Sequence, residues 1–191
     1  LADNLKKHVL ANAVSVENKD STLEVKNGQK VTAVAKHAEG FSVKTESGEE
    51  FLTKTILITT GSSRRKLVAK NADKMEHKGL TYCASCDGPI FADQDVAVVG
   101  GGNAGFESAA QLLAYCKSVT ILQRTDTFAA DQITLEKVLK NPKMKALMGV
   151  EILEVKGEKF VEGLVYKDIK TGKESELKVT GIFVEIGQVP N

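Results

Sequence analysis

The sequence predicts an α/β protein in which a small, strand-rich unit is followed by a compact domain with a doubly wound parallel sheet. Two observations lead to this prediction. Within the first 60 residues, apolar and polar side chains alternate with a period of two, in short segments separated by polar turns. From Asp95 to Leu122, a strand, a glycine cluster, a helix and a second strand follow one another, as at the start of a doubly wound sheet. The chain should therefore combine an α+β part with an α/β part.

Composition excludes several classes of protein. The chain has 191 residues, of which 42% are hydrophobic, enough to bury a core rather than remain disordered. Lys and Arg number 26 against 25 Asp and Glu, so no nucleic-acid partner is expected. Aromatic residues make up 5% and Trp is absent, which disfavours a base-stacking surface.

Location and completeness can also be predicted. No apolar run approaches the roughly 18 residues that a membrane span requires, and the first residues contain no signal-peptide core. Three cysteines are too few for a disulfide scaffold, so a cytoplasmic setting away from membranes is expected. The chain begins with Leu1 rather than Met, and we expect it to be a piece of a longer protein.

The strand-rich unit is predicted to begin with a helix over residues 2–12, with Leu5, Val9 and Leu10 on one face. Strands are predicted over residues 13–16, 30–34, 41–45 and 51–60. The last of these is apolar on both faces around Leu57, which is typical of an interior strand.

Residues 62–78 are polar and basic. They are interpreted either as a solvated linker or hinge, or as a rim that faces a phosphate or a partner.

The second domain is predicted to contain two helices and a series of strands. The strands cover residues 95–99, 119–122, 150–155, 161–168 and 176–185, and the helices cover 103–116 and 131–140. Cys116 falls in register with Ala109, Leu112 and Leu113 on the first of these helices, so it is expected to pack in the core.

The glycine cluster matches the pattern G-x-G-x-x-G between a strand and a helix. Gly100 would allow the tight turn, Gly102 would let a pyrophosphate approach the backbone, and Gly105 would let the helix pack closely on the strand. The N–H groups at the helix start, around Asn103 and Ala104, would face the anion. The alternative is an ordinary glycine-rich turn between a strand and a helix.

The end of the second strand bears on the type of dinucleotide. An NAD site usually has Asp or Glu there, whereas this sequence has Gln123 followed by Arg124. The missing acid and the adjacent arginine favour NADP, because Arg124 could pair with its extra phosphate. Arg124 could also be an ordinary solvated side chain.

Cys83 and Cys86 form a C-x-x-C pair that allows three interpretations. A zinc site needs four ligands, and neither Cys116 nor the three histidines have suitable spacing. The pair could instead be a redox dithiol or two buried structural cysteines. Asp87 could move a proton during thiol exchange, or cap a helix or turn. A dithiol does not take hydride directly from nicotinamide, so a redox role implies a flavin relay.

Three segments together carry a family resemblance: Cys83–Gly88, Val96–Gly105, and Gly181–Gly187 with Pro190 and Asn191. They resemble bacterial thioredoxin reductase, and equally the reductase part of the flavoprotein component of alkyl hydroperoxide reductase. The resemblance extends over essentially the whole chain. It implies a Rossmann-like NAD(P)H-binding domain inserted into a partial FAD-binding domain, within a flavoprotein that has two dinucleotide-binding domains.

The resemblance also implies a domain map. Residues 1–61 correspond to the middle part of the FAD-binding domain, 62–187 to the NAD(P)H-binding domain with the dithiol, and 188–191 to the return into the FAD domain. Thr60 and Gly61 would run close to the flavin, and Gly187 is expected to belong to the cofactor-binding residues, at a hinge. The family's other FAD motifs would lie outside the chain, so the chain alone should hold NADP(H) weakly and FAD not at all, and be inactive.

By the same resemblance, electrons pass from NADPH through FAD to the Cys83–Cys86 disulfide and then to a thioredoxin-like or peroxiredoxin-type protein. Cys86 would face the flavin, Cys83 would attack the partner and Asp87 would act as the acid. The full-length protein is expected to be a homodimer.

The sequence departs from both branches of this family. Thioredoxin reductases usually carry more arginines around Arg124, whereas the peroxide-system relatives carry Glu at the position of Gln123 and use NADH. Residues 130–132 are closer to the peroxide-system branch. Three hypotheses follow: a thioredoxin reductase that uses NADPH, a peroxiredoxin-system reductase that uses NADH, and a nucleotide-binding redox switch without turnover.

Overall fold

The computed structural model describes residues 2–13 and 23–191, which form two compact units, Leu1–Thr59 and Thr60–Asn191. Within the described residues, no helix is long and apolar enough to cross a membrane. The assignment of the two units to FAD-binding and NAD(P)H-binding domains stays a prediction.

The first unit contains one helix and a three-stranded antiparallel sheet. Helix α1 spans Ala2–Ala11, and the strands are β1 (Val31–His37), β2 (Gly40–Thr45) and β3 (Glu50–Thr53), in the order β1-β2-β3. The predicted helix and the predicted strands at 30–34 and 41–45 are confirmed. Most of the predicted strand at 13–16 lies outside the described residues. The side chains expected to form the apolar face of α1 are exposed.

The predicted interior strand over 51–60 is wrong beyond Thr53, where β3 ends. Leu57 is 87% exposed and Ile58 is 73% exposed. An apolar run forms an interior strand only when strands pair with both of its edges. The described residues place no strand beside residues 54–60, so this apolar run stays uncovered.

The second unit holds most of the secondary structure. In chain order it contains β4 (Ser62–Arg64), α2 (Ala72–Met75), β5 (Leu80–Thr81), α3 (Ala84–Asp87), a 3₁₀ turn (Gly88–Phe91), β6 (Asp95–Val99), α4 (Asn103–Leu112), β7 (Ser118–Gln123), α5 (Gln132–Leu139), β8 (Met144–Met148), β9 (Val150–Lys156), β10 (Gly163–Asp168), β11 (Glu174–Leu177), β12 (Gly181–Val184) and β13 (Gln188–Pro190).

A five-stranded parallel sheet in the order β5-β12-β6-β7-β8 forms the centre of this unit. A second, antiparallel sheet has the order β11-β10-β9, and β4 pairs antiparallel with β13. The strand–helix–strand sequence of β6, α4 and β7 confirms the predicted start of a doubly wound sheet.

The parallel sheet is covered on both faces. Alternate side chains of β6 point to opposite faces, and each set packs in a different buried cluster. Val96 and Val98 belong to a buried cluster with the residues of α4, whereas Ala97 and Val99 pack with residues of the antiparallel sheet. Cys116 is fully buried in the cluster on the α4 face, which confirms its predicted core position. Burial raises the pKa of the Cys116 thiol, so this sulfur is poorly suited to thiolate chemistry.

The interpretation of residues 62–78 as a solvated linker is wrong where the segment folds into the core, although most of its residues are exposed. Its first residues form β4 and a later part forms α2. Leu67, Ala72 and Met75 are buried in the core. Basic side chains hid this pattern, because Lys66, Lys70 and Lys74 interrupt the apolar residues.

Three further differences from the prediction concern the end of a helix, a strand that is divided in two and a strand that was missed. The helix predicted over 103–116 ends at Leu112, and turn residues continue to Cys116. The single strand predicted over 176–185 is two strands, since β11 belongs to the antiparallel sheet and β12 to the parallel one. Strand β8 was not predicted, because its residues alternate poorly and it lies at the edge of the sheet.

Replacing Gly181 should destabilise the second unit by overpacking. A Cβ at this position in β12 would lie 2.8 Å from the ring of Phe91, which itself packs edge-on against Phe183. We expect Gly181→Ala to lower the free energy of unfolding by about 1–3 kcal/mol. Urea unfolding followed by tyrosine fluorescence measures this unit alone, because all three tyrosines lie in it and Trp is absent.

The control is the double variant with Phe91→Leu, which removes the ring that the added Cβ meets. If the clash is the cause, the double variant should lose less stability than the sum of the single variants. Additive losses would contradict the steric explanation.

Candidate functional site

A cavity of about 1010 Å³ lies at the carboxyl ends of β6, β7 and β12. We call it the glycine cavity. Its lining comes from five short segments, which are residues 65–68, 99–104, 122–125, 150–152 and 185–187, together with Val189. In open α/β sheets, ligands bind in the crevice at the carboxyl ends of the strands. This volume is at the upper end of the range for cofactor sites.

The glycines of the turn have distinct geometric roles. Gly100 has φ +119°, and a Cβ there would lie 2.1 Å from the carbonyl oxygen of Glu185. A Cβ at Gly105 would lie 1.9 Å from the carbonyl oxygen of Gly100, so only glycine lets α4 approach β6 this closely. A Cβ at Gly102 would meet no atom within 4 Å, so its backbone faces open space. These features match the geometry predicted from the G-x-G-x-x-G pattern; the ligand itself remains a prediction.

At the start of α4, Asn103 and Ala104 line the glycine cavity. The Asn103 side chain is engaged within the protein, because its Oδ1 accepts the backbone N–H of Asp131 at 2.7 Å. Asp131 in turn caps α5 by accepting the N–H of Thr134, which lowers the pKa of the Asp131 carboxyl. Asn103 thus connects the starts of two helices, a role that the sequence pattern did not predict.

Gln123 is tied to the glycine turn. Its Oε1 accepts the N–H of Gly101 at 3.0 Å, and its Nε2 donates to Thr125 Oγ1 at 2.7 Å and to the Thr127 carbonyl at 3.2 Å. Sequence analysis also missed Gly101, where a Cβ would lie 2.5 Å from the ring of Phe128. Gln123 lines the cavity, but the polar atoms of its amide are already hydrogen-bonded to the glycine turn and to the residues that follow β7.

Arg124 lines the glycine cavity, with its side chain 78% exposed. Its Nη2 lies 3.7 Å from Glu151 Oε1, and the other oxygen of this carboxylate lies 3.3 Å from Lys167 Nζ. Sequence analysis missed Glu151, because β9 comes beside the end of β7 only in the folded chain. Arg124 is therefore accessible from the cavity and only loosely paired.

Cys83 and Cys86 form a disulfide across the first turn of α3. Cys83 is half-buried and its Sγ accepts the backbone N–H of Cys86 at 3.2 Å, whereas Cys86 is exposed. The exposure of Cys86 does not fit the alternative interpretation as two buried structural cysteines. Among the described residues, no group of three or more metal-binding side chains comes together.

Asp87 is half-buried beside the disulfide. Its backbone N–H donates to the Cys83 carbonyl at 3.1 Å, and its Oδ2 accepts a hydrogen bond from Thr81 Oγ1. The side chain makes no capping bond to the 3₁₀ turn that follows, so its alternative role as a cap is wrong. Asp87 and Thr81 line a second cavity, of about 490 Å³, together with the exposed side chains of Ile90 and Phe160.

Thr60, Gly61 and Gly187 lie next to the paired strands β4 and β13 of the second unit. Thr60 Oγ1 donates to the carbonyl of Asn191 at 3.2 Å, and the Asn191 N–H donates to the Gly61 carbonyl at 3.2 Å. Gly61 and Gly187 have φ +74° and φ +93°. Gly187 lines the glycine cavity, whereas Thr60 and Gly61 do not.

The predicted site residues therefore occupy three places. The glycine cavity is lined by Gly100, Gly102, Asn103, Ala104, Gln123, Arg124 and Gly187, whereas Gly105 does not line it and packs against Gly100. The disulfide and Asp87 lie beside the edge strand β5. Thr60 and Gly61 lie next to the pair of strands β4 and β13. No residue of α3 lines the glycine cavity. This arrangement therefore does not favour direct electron transfer from a nucleotide in that cavity to the disulfide.

Known proteins are similar to this chain in sequence and in fold. Thioredoxin reductase of Streptomyces coelicolor is 40% identical over 160 residues, which cover 84% of this chain and 50% of that protein. A component of the alkyl hydroperoxide reductase of Staphylococcus epidermidis is 36% identical over 169 residues, covering 88% and 33%. The crystal structure of Lactococcus lactis thioredoxin reductase, in its FR conformation, matches with a TM-score of 0.68 and 35% identity, covering 84% and 53%.

The chain thus spans about half or less of these relatives, and its parallel-sheet fold matches that of thioredoxin reductase. Residues 3–191 match the profile of the enzyme family described as pyridine nucleotide-disulphide oxidoreductase. Because this match covers nearly every residue, the chain belongs to the pyridine nucleotide-disulphide oxidoreductase family.

Proposed function

We propose that this chain is the nucleotide-binding and dithiol-bearing part of a flavin-dependent protein-disulfide reductase. In this proposal, electrons pass from NADPH through FAD to the Cys83–Cys86 disulfide and then to a thioredoxin-like or peroxiredoxin-type protein. The observation that carries it is the exposed disulfide beside Asp87, in the same compact unit as the glycine cavity.

The residues of the glycine cavity fit a dinucleotide. The open space beside Gly102 leaves room for a pyrophosphate at the start of α4, and the N–H groups of a helix start favour an anion. Arg124 lies at the end of β7, where the ribose end of such a ligand would be expected. When bound, NADPH would supply hydride, and Gly102, Ala104 and Arg124 would hold it.

We further propose that residues 1–61 and 188–191 belong to an FAD-binding domain and 62–187 to the NAD(P)H-binding domain. The chain covers about half of the S. coelicolor relative, which supports completion of the flavin site by other segments. Thr60 and Gly61, which are exposed next to the pair of strands β4 and β13, would contribute to it, and Gly187, which lines the glycine cavity, would lie at the hinge. The flavin would supply the two-electron relay that the separation of the cavity and the disulfide requires.

The chemistry of this chain then centres on its two sulfurs. The Cys83–Cys86 bond breaks when it takes up two electrons, and one sulfur accepts a proton from Asp87. Cys83 then attacks the partner's disulfide and forms a mixed disulfide with it. Cys86 attacks Cys83, the Cys83–Cys86 bond forms again, and the partner leaves as a dithiol after taking up protons.

A peroxiredoxin-type partner is the second candidate, favoured by the likeness to the S. epidermidis protein. That interpretation expects NADH. The absence of an acid at Gln123, together with the accessible Arg124, leads us to place NADPH first. The same proposal expects a homodimer in the cytoplasm.

Stepwise reduction of the full-length protein that contains this chain tests the relay and the nucleotide. Without oxygen, NADPH should bleach the flavin absorbance promptly, whereas NADH should act slowly. Bleaching mainly by NADH would favour the peroxiredoxin-type interpretation. A full-length protein with no flavin absorbance would contradict the reductase proposal and favour a nucleotide-binding redox switch.

Arg124→Ala should weaken NADPH binding to the 191-residue chain about tenfold, because a charge-assisted phosphate contact is lost. NADH binding should not change. Titration of nucleotide fluorescence measures both. Arg64→Ala is the matched control, since Arg64 is also exposed but does not line the glycine cavity. Equal losses for both nucleotides would contradict the assignment.

Cys83→Ser and Cys86→Ser should each reduce NADPH-dependent reduction of a thioredoxin disulfide to the uncatalysed background in the full-length protein. Each single serine removes one of the two sulfurs that must form the disulfide again. Bleaching of the flavin by NADPH should persist. Cys116→Ala is the control, because this buried sulfur takes no part in the scheme. Retained activity in either serine variant would exclude the proposed electron path.

A further inference from the structure

We infer that Thr81 is a positioning residue for Asp87, holding the carboxyl group in place for proton transfer to the disulfide sulfurs. The inference rests on the acid role of Asp87 in the proposed function. It concerns residues of this chain alone, so it can be tested without flavin or nucleotide.

The first observation is the pair of hydrogen bonds at one hydroxyl. Thr81 Oγ1 donates to Asp87 Oδ2 and lies 3.4 Å from the backbone N of Cys83, from which it accepts. A hydroxyl has one proton to donate and two lone pairs to accept with, so both bonds can form together. One side chain thus contacts both the first cysteine and the acid that follows the second.

The second observation is that Thr81 belongs to a fixed part of the fold. It lies in β5, in register with Phe183 of β12, and its exposed fraction is only 7%. Phe183 itself is fully buried. By contrast, α3 is a single turn, and Ser85 and Cys86 on it are exposed. The hydroxyl therefore connects the short dithiol helix to the rigid parallel sheet.

This contact leaves one carboxyl oxygen of Asp87 available for proton transfer to a sulfur. Thr81 occupies Oδ2, and Oδ1 has no hydrogen bond among the described contacts that involve Asp87. The hydroxyl can donate to Oδ2 both when Asp87 is a carboxylate and when Asp87 carries its proton on Oδ1. Asp87 can then give its proton to a departing sulfur and stay attached to Thr81 in both states.

A purely structural role makes a different prediction. If Thr81 only filled space, its shape would matter and its oxygen would not. Valine has the shape of threonine without the hydroxyl, whereas serine keeps the hydroxyl and loses a methyl group. The two substitutions therefore separate hydrogen bonding from packing.

The test measures reduction of the Cys83–Cys86 disulfide in the 191-residue chain by a water-soluble trialkylphosphine, in mildly acidic buffer. The phosphorus attacks one sulfur, the S–S bond breaks, and the other sulfur leaves and takes up a proton. Water then releases the first sulfur as a thiol and converts the phosphine to its oxide. Thiol titration against time gives the rate constant.

We expect Thr81→Val to lower this rate constant roughly tenfold, a small part of what general acids contribute, and Thr81→Ser to stay near wild type. In the Asp87→Asn background, Thr81→Val should have no further effect, because the group that it positions is gone. Thermal unfolding of each variant monitors folding. Should the valine variant not fold, Thr81→Ala takes its place.

Three results would overturn the inference. They are a wild-type rate for the valine variant, a slow serine variant, and a valine effect that persists with Asp87→Asn. The outcome is separate from that of the proposed function. A full-length protein that reduces no partner would overturn the reductase proposal, while the rate constants of the 191-residue chain would still decide the role of Thr81.

Discussion

The close approach of α4 to β6 is the constraint on which the structure around the glycine cavity depends. Gly105 comes so near the Gly100 carbonyl that a single methyl group would separate helix and strand. The end of β12 is fixed at the same point, because the Glu185 N–H donates to the Val99 carbonyl at 2.8 Å and the Glu185 carboxylate accepts from Ser108 at 2.9 Å. The ends of β6 and β12 are thereby held close to the start of α4. The open space around Gly102 is a consequence of this arrangement.

Disulfide and cavity share one parallel sheet but different parts of it. The glycine cavity lies at the ends of the central strands, whereas the dithiol helix follows the edge strand β5. Ala84 of this short helix is buried in the core, whereas Cys86 is exposed. The helix is anchored by the hydrogen bond from Ser85 to Gln111 of α4 and by the hydrogen bond from the buried Thr81 to Asp87. Rigid support beneath an exposed reactive segment is a general requirement of functional sites.

The sequence could predict what depends on local pattern. Strands β6 and β7, the buried position of Cys116 and the glycine turn all follow from periodicity and spacing within short windows. The prediction over residues 176–185 failed because alternation does not show which sheet a strand joins. The prediction over 51–60 failed beyond Thr53, because an apolar run does not show whether other strands pair with it. The contacts of Gln123 with Gly101 and of Arg124 with Glu151 join separate segments, so no local pattern encodes them. The bond from Thr81 to Asp87 is close in sequence, but it depends on the turn of α3 around the disulfide.

Glu151 bears on the question of which nucleotide the cavity accepts. Its carboxylate lies between Arg124 and Lys167, which could be taken to mean that Arg124 is already neutralised. Yet the Arg124 side chain is 78% exposed, and exposed ion pairs contribute little because water screens them and both side chains lose freedom. A phosphate with nearly two negative charges and several acceptor oxygens competes well for a guanidinium group. Lys167 can remain with Glu151 when Arg124 turns away. The pair with Glu151 therefore does not prevent Arg124 from binding the phosphate of the nucleotide that we propose.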